Sequence, residues 1–184
     1  MFTIAPYGSW QSPITIDFVV AGAIGLGQIA LDGEDIYWVE MRPSEGGRMV
    51  VVKCDTAGKV TDITPEPFSA RTRVHEYGGG EYMVHEAVVY FSNFSDQRIY
   101  RQDDGGEPQP ITPEADVRYA DGCFDSTRNR IICVREDHTG EGEAVNSIVA
   151  VDATGEGEPE VLYQGSDFCS NPRISPDGSV LCWL

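Results

Sequence analysis

Ile63-Thr64-Pro65 returns 48 residues further on as Ile111-Thr112-Pro113, and this recurrence decides the fold. A motif repeating at a period in the forties marks a chain built from stacked supersecondary units. Working outward, Ile36-Tyr37-Trp38-Val39 and Met49-Val50-Val51-Val52 precede the first copy, and Val88-Val89-Tyr90-Phe91 and Ile99-Tyr100-Arg101 precede the second. Ile131-Ile132-Cys133-Val134, Ser147-Ile148-Val149-Ala150-Val151 and Val180-Leu181-Cys182-Trp183 extend the series. The run centres Tyr37, Tyr90, Cys133 and Cys182 lie 53, 43 and 49 residues apart. Turn formers separate the runs and helical periodicity is nearly absent, so the chain reads as all-β.

About four strands per period is what a β-propeller blade requires, because each four-stranded blade buries its faces only against its neighbours. The repeats predict blades over residues 27–65, 80–113 and 119–163, with a fourth, incomplete, over 170–184. Ser175-Pro176-Asp177-Gly178-Ser179 ahead of the last run predicts a tight strand-to-strand turn. Proline presets φ there, aspartate bonds its own backbone and glycine accepts a positive φ. Three blades and the start of a fourth leave sheet faces and edges bare. The expectation is therefore the N-terminal part of a propeller domain, about three four-stranded blades plus the start of a fourth, separated from the remainder of its ring.

Composition narrows the function classes. Thirty Asp and Glu against 13 Lys and Arg give a formal net charge of -17, a surface that repels phosphate backbones and anionic membrane. Neither nucleic acid nor membrane is an expected partner. The apolar stretch 18–31 is too short to span a bilayer, is broken by Gly22, Gly25 and Gly27, and has no basic residue before it. Five cysteines (Cys54, Cys123, Cys133, Cys169 and Cys182) show no C-x-x-C spacing and sit mostly in apolar runs, as reduced buried thiols do, which points to the cytoplasm.

Two stretches go beyond the fold. Ala5-Pro6-Tyr7-Gly8-Ser9-Trp10-Gln11-Ser12-Pro13-Ile14-Thr15 and Arg71-Thr72-Arg73-Val74-His75-Glu76-Tyr77-Gly78-Gly79-Gly80 resemble segments of the prolyl oligopeptidase family of serine peptidases, in its acylaminoacyl-peptidase and dipeptidyl-aminopeptidase branch. Arg42-Pro43-Ser44-Glu45-Gly46-Gly47-Arg48, Tyr90-Phe91-Ser92-Asn93 and Val134-Arg135-Glu136-Asp137-His138 carry the same resemblance, which covers essentially the whole chain. It implies a propeller that gates or positions peptides for a separate α/β-hydrolase domain bearing the Ser-Asp-His triad. The G-x-S-x-G elbow of that domain is not in this sequence: Gly8-Ser9-Trp10 and Gly165-Ser166-Asp167 lack the flanking glycine. No catalytic residue is assigned, and the chain by itself is expected to be inactive. The hydrolase domain, and peptide through it, are the expected partners. The alternative is a free-standing propeller that binds a partner protein and is completed by oligomerisation.

Arg71, Arg73, His75, Glu76 and Tyr77 are the candidates for the substrate path or the domain interface. Arg73 and Glu76 could contact a peptide's carboxylate or amine, or an acidic partner surface. Equally, Gly78, Gly79 and Gly80 could let a strand start in the crowded ring centre while the charged residues form a structural network. His75 has no nucleophile motif beside it and reads as a hydrogen-bonding residue. His85 and His138 join no cluster with metal spacing, and no metal or cofactor is expected. Asp103-Asp104-Gly105-Gly106 has too few spaced oxygens for a calcium loop. Gly22-Ala23-Ile24-Gly25-Leu26-Gly27 reverses the dinucleotide fingerprint and precedes no helix. Asn93-Phe94-Ser95 fits a glycosylation sequon, which matters only to a secreted protein. The acidic stretches 136–143 and 155–160 read as solvated inter-strand turns.

Overall fold

A computed structural model describes residues 4–10, 12–20 and 22–184. Gln11, within the N-terminal stretch 5–15, lies outside them. A short helix, α1 (Ile16–Val20), precedes four antiparallel sheets, each a meander of consecutive strands. The first sheet is β1 (Gly25–Asp32), β2 (Asp35–Arg42), β3 (Arg48–Cys54) and β4 (Val60–Asp62). The second is β5 (Tyr82–His85), β6 (Val88–Ser92), β7 (Ile99–Gln102) and β8 (Gln109–Pro110). The third is β9 (Val117–Asp125), β10 (Arg130–Asp137), β11 (Val145–Asp152) and β12 (Glu160–Gln164). β13 (Arg173–Ile174) and β14 (Leu181–Cys182) form a fourth, two-stranded sheet. This is the propeller arrangement, three four-stranded blades and the opening of another.

The core lies between blades, because side chains alternate across each strand and both faces of a middle blade are covered. Val89 and Phe91 on β6 face the first sheet and pack with Tyr37, Val39 and Val51. Their neighbour Tyr90 points the other way, to Ile131, Cys133 and Val149 of the third sheet. Ile132, Val134 and Ile148 in turn face Cys169, Ile174 and Leu181 beside the fourth. Near-continuous apolar runs such as Ile131–Val134 follow from this two-sided burial. The outer side of the first sheet is bare by comparison: Leu26, Ile29 and Leu31 are exposed beside Ile36.

The Ile-Thr-Pro repeat has a physical cause. After β4, Thr64 is fully buried and its Oγ1 accepts the Val51 amide at 3.1 Å; after β8, Thr112 Oγ1 accepts the Ile99 amide at 3.0 Å. The carbonyls of these threonines accept Arg48 Nη1 at 3.0 Å and Arg98 Nε at 2.7 Å respectively. The same clasp thus closes the outer edge of two successive blades, with arginine, threonine and isoleucine in equivalent places. The Ser175–Ser179 turn forms as its residues predict, with Gly178 at φ +69° and the Ser179 amide donating to Asp177 Oδ1 at 3.1 Å.

Candidate functional site

The innermost strands β1, β5, β9 and β13 stand side by side in ring order and line one side of the axial channel that a closed ring would enclose. Gln28, Glu81, Asp121, Asn171 and Arg173 line a cavity of about 540 Å³ on this wall, together with the backbone of Gly79 and Gly80. Burial pushes the Glu81 carboxyl above the usual carboxylate range. At the mouth, a second hollow of about 290 Å³ is lined by Val74, His75, Tyr77 and the Gly78–Gly80 run from one side, and by Asp121 and Asn171 from the other.

The segment 71–80 crosses from the first blade's outer edge to the channel, and it is anchored on two blades along the way. On the second blade, the Arg71 amide donates to Ser92 O at 2.9 Å and the Arg73 amide to Gln97 Oε1 at 2.7 Å. On the third, Val74 enters the core with Ala120 and Val134. The His75 amide donates to Glu136 Oε1 at 3.2 Å, and its ring Nε2 lies 3.0 Å from Asn146 Oδ1. His75 and Glu76 take positive φ values of 55° and 68°, which turn the chain back toward the channel. Two of the three glycines are sterically required. A Cβ at Gly78 would sit 2.5 Å from Thr72 O, and one at Gly80 would sit 2.0 Å from Asp121 Oδ1.

The structure therefore separates the five candidates. His75 and Tyr77 meet at the channel mouth, with ring centroids 5.9 Å apart. Tyr77 is 82% exposed, whereas the His75 ring is half-buried and also lies edge-on to Phe168 at 5.0 Å. Glu76 turns aside to Arg118, whose Nη1 lies 2.7 Å from Glu76 Oε1 and holds that carboxyl below its ordinary range. Arg71 and Arg73 point elsewhere again, over the ring of Phe94 at 4.8 and 5.6 Å from its centroid. Among the described residues no serine or cysteine is hydrogen-bonded to His75, and its neighbours equip it to position the loop.

Glu136 departs from its reading as a solvated turn residue. It lies in β10, is 5% exposed, and its carboxylate gathers the His75 amide, Arg118 Nη1 at 3.4 Å and His138 Nε2 at 3.0 Å. His138 is accordingly paired with a carboxylate. The physical reason is strand periodicity: Glu136 follows Ile132 and Val134 on one buried face, where only charge partners make a carboxylate tolerable. Phe94 is a second residue missed, since only its place in a sequon drew notice. Among the described residues no group of three His, Cys, Asp or Glu side chains is placed to hold a metal ion.

The chain is similar to peptidases of known structure. It is 35% identical, with a TM-score of 0.86, to a puromycin-hydrolyzing peptidase of Mycobacterium tuberculosis, over 97% of this chain and 30% of that one. It is 30% identical, TM-score 0.85, to a puromycin hydrolase over 99% of this chain and 31% of that one. The chain matches the N-terminal propeller part of a prolyl oligopeptidase-family peptidase. It spans less than a third of the length of these relatives. TolB from Acinetobacter baumannii, at 16% identity and a TM-score of 0.58, shares the fold alone. No family model matches the chain, and no curated protein does. Among the described residues no helix is long and apolar enough to cross a membrane.

Proposed function

We propose that this propeller segment admits and positions short peptides for an α/β-hydrolase domain of the same protein, with the 71–80 segment as the rim of the entry path. The observation that carries this reading is the meeting of His75 and Tyr77 at the mouth of the channel walled by Glu81, Asp121 and Arg173. The similarity to puromycin-hydrolyzing peptidases supports it. In the intact protein the hydrolase domain would cleave by acyl transfer: a serine attacks the scissile carbonyl, a histidine takes its proton, and an oxyanion hole holds the developing charge. The sequence contains no G-x-S-x-G elbow, and the contribution proposed for the segment is selection and positioning. The setting proposed is the cytoplasm, which suits the unpaired state of all five cysteines.

The test is kinetic. Tyr77→Ala in the intact gene product should change KM for peptide or puromycin substrates several-fold while leaving kcat for the smallest chromogenic ester near wild type, because only entry is altered. Equal KM values for both proteins on all substrates would remove the 71–80 segment from the substrate path. Turnover of peptides by the 184-residue chain alone would refute the division of labour itself.

A further inference from the structure

In a chain with so few cations, the surroundings of each one carry information. Most guanidinium groups are neutralised by a carboxylate: Arg42, Arg48, Arg101, Arg118, Arg128, Arg130 and Arg135 all lie in ion pairs. Arg98 and Arg173 donate to backbone carbonyls. Among the described residues, Arg71 and Arg73 do neither, although both are exposed in a protein of net charge -17. Two carboxylates lie within electrostatic reach without pairing with them: Glu76 is held by Arg118, and Glu81, half-buried on the channel wall, feels Arg71 only at a distance.

The two arginines are nevertheless held in place. Thr72 and Val74 are buried, so the alternating positions 71 and 73 send their side chains outward on one side. Buried Gln97 fixes the pair to its aromatic floor: its Oε1 accepts the Arg73 amide at 2.7 Å, and its Nε2 donates to Phe94 O at 2.9 Å. Arg118 Nη1 donates to the Arg73 carbonyl at 2.8 Å. Both guanidiniums then lie over one half-exposed ring, at 4.8 and 5.6 Å. Stacking on a ring restricts a guanidinium while leaving its in-plane N–H edge free, which is the edge that grips a carboxylate in two parallel hydrogen bonds.

We infer that Arg71 and Arg73, seated on Phe94, bind the C-terminal carboxylate of a short peptide on its way to the channel mouth. This rests on the peptide-positioning reading and adds the group recognised. The net charge decides between sources of the carboxylate. An extended acidic protein face or a polyanion meets repulsion from the whole surface, whereas one carboxylate on a small ligand meets mainly the local pair, the rest being screened within about 8 Å at physiological salt. A charge-assisted bond of this kind sets preference for the free acid over the amide at about tenfold, the low end of the range because the site faces water.

The experiment uses the 15N-labelled 184-residue chain, titrated by NMR with Ala-Ala-Phe, with its C-terminal amide, and with acetyl-Ala-Glu-Ala-amide as a side-chain carboxylate. The free acid should shift the Nε–Hε signals of Arg71 and Arg73 and the amides of residues 71–73 and 94, binding about tenfold tighter than the amide. In R71Q/R73Q the acid should fall to the level of the amide, while K59Q, at an exposed lysine, should leave binding unchanged. Equal affinity for acid and amide, or unchanged acid binding by R71Q/R73Q, would sink the carboxylate assignment and leave peptide positioning standing. Tighter binding of the capped glutamate peptide would replace the peptide terminus by an acidic side chain as the ligand. If neither tripeptide shifted any signal of a chain whose dispersed amide spectrum shows it folded, both readings would fall together.

Discussion

Replacing Gly80 by alanine adds one methyl group at the point where the 71–80 segment meets the channel wall, and the structure gives its cost. Gly80 sits at φ +63°, a region that costs an L-residue about 1–2 kcal/mol. The new Cβ would also lie 2.0 Å from Asp121 Oδ1, 2.8 Å from Asp121 N and 2.9 Å from its Cα. The carboxylate can rotate away, but the backbone cannot withdraw freely, because Asp121 N donates to Gly80 O at 2.8 Å. Overpacking against backbone adds about 1–3 kcal/mol, and loss of that hydrogen bond about 1 more. The expected total is about 3–6 kcal/mol, a large share of the roughly 5–15 kcal/mol that holds a domain folded. Gly58→Ala is the control: φ is +78° there, but nothing lies within 4 Å of the added carbon, so only the backbone term of about 1–2 kcal/mol applies. In urea unfolding, with a slope of about 2 kcal/mol per molar, G80A should therefore melt about 1–2 M below G58A. Coincident midpoints would refute the claim that close packing, beyond the positive φ, requires glycine at position 80.

Three other substitutions or titrations probe the same structure. Glu136→Ala should destabilise by about 3–5 kcal/mol and speed amide exchange at His75, because Arg118 is left with less compensation in a largely buried site; unchanged exchange at His75 would remove Glu136 as the loop's anchor. The Asp177 carboxyl, bonded by Ser175 Oγ and by the amide and hydroxyl of Ser179, is held down to about 2 from 3.8. Its folded value is depressed, so its contribution to the turn is complete above about pH 4 and is lost as pH falls through 2; a carboxyl-carbon NMR titration should show that midpoint, moving upward in S179A. Burial pushes the Cys133 and Cys169 thiols up, while Cys182 is exposed, so iodoacetamide at neutral pH should alkylate Cys182 first and reach the other two only on unfolding, as read by mass spectrometry.

What could be read from the sequence tracks how local its cause is. The blade repeat was legible because every blade solves the same problem, two buried faces and one closed edge, with residues close in sequence: Thr64 clasps Val51 and Thr112 clasps Ile99, each 13 residues away. The Ser175–Ser179 turn was legible for the same reason. Glu136 was misread because its partners His75 and Arg118 come from 61 and 18 residues away. A signal existed in the period of β10, where Ile132, Val134 and Glu136 occupy one face, but acidity outweighed position. Phe94 carried no signal of its own, since nothing local announces that two arginines will settle on it from residues 71 and 73.

The 71–80 segment offered two readings, a structural network or contact with a ligand, and side-chain direction divides them residue by residue. Thr72, Val74, Gly78 and Gly80 face the blades, and His75 and Glu76 are bound to Asn146 and Arg118; these positions hold the segment in place. The side chains of Arg71, Arg73 and Tyr77 face outward and, among the described residues, make no ion pair or hydrogen bond. An exposed cation–π contact contributes only about 0.5–1 kcal/mol, so seating the two unpaired arginines on Phe94 adds little to stability. The inward residues make the rim rigid, and a rigid rim is what lets the outward ones select, since ordering them on binding then costs little. Structure and recognition are thus consecutive uses of one alternating segment, and substitutions at 71, 73 and 77 should alter binding with little change in stability, whereas those at 72, 74 and 80 should do the reverse.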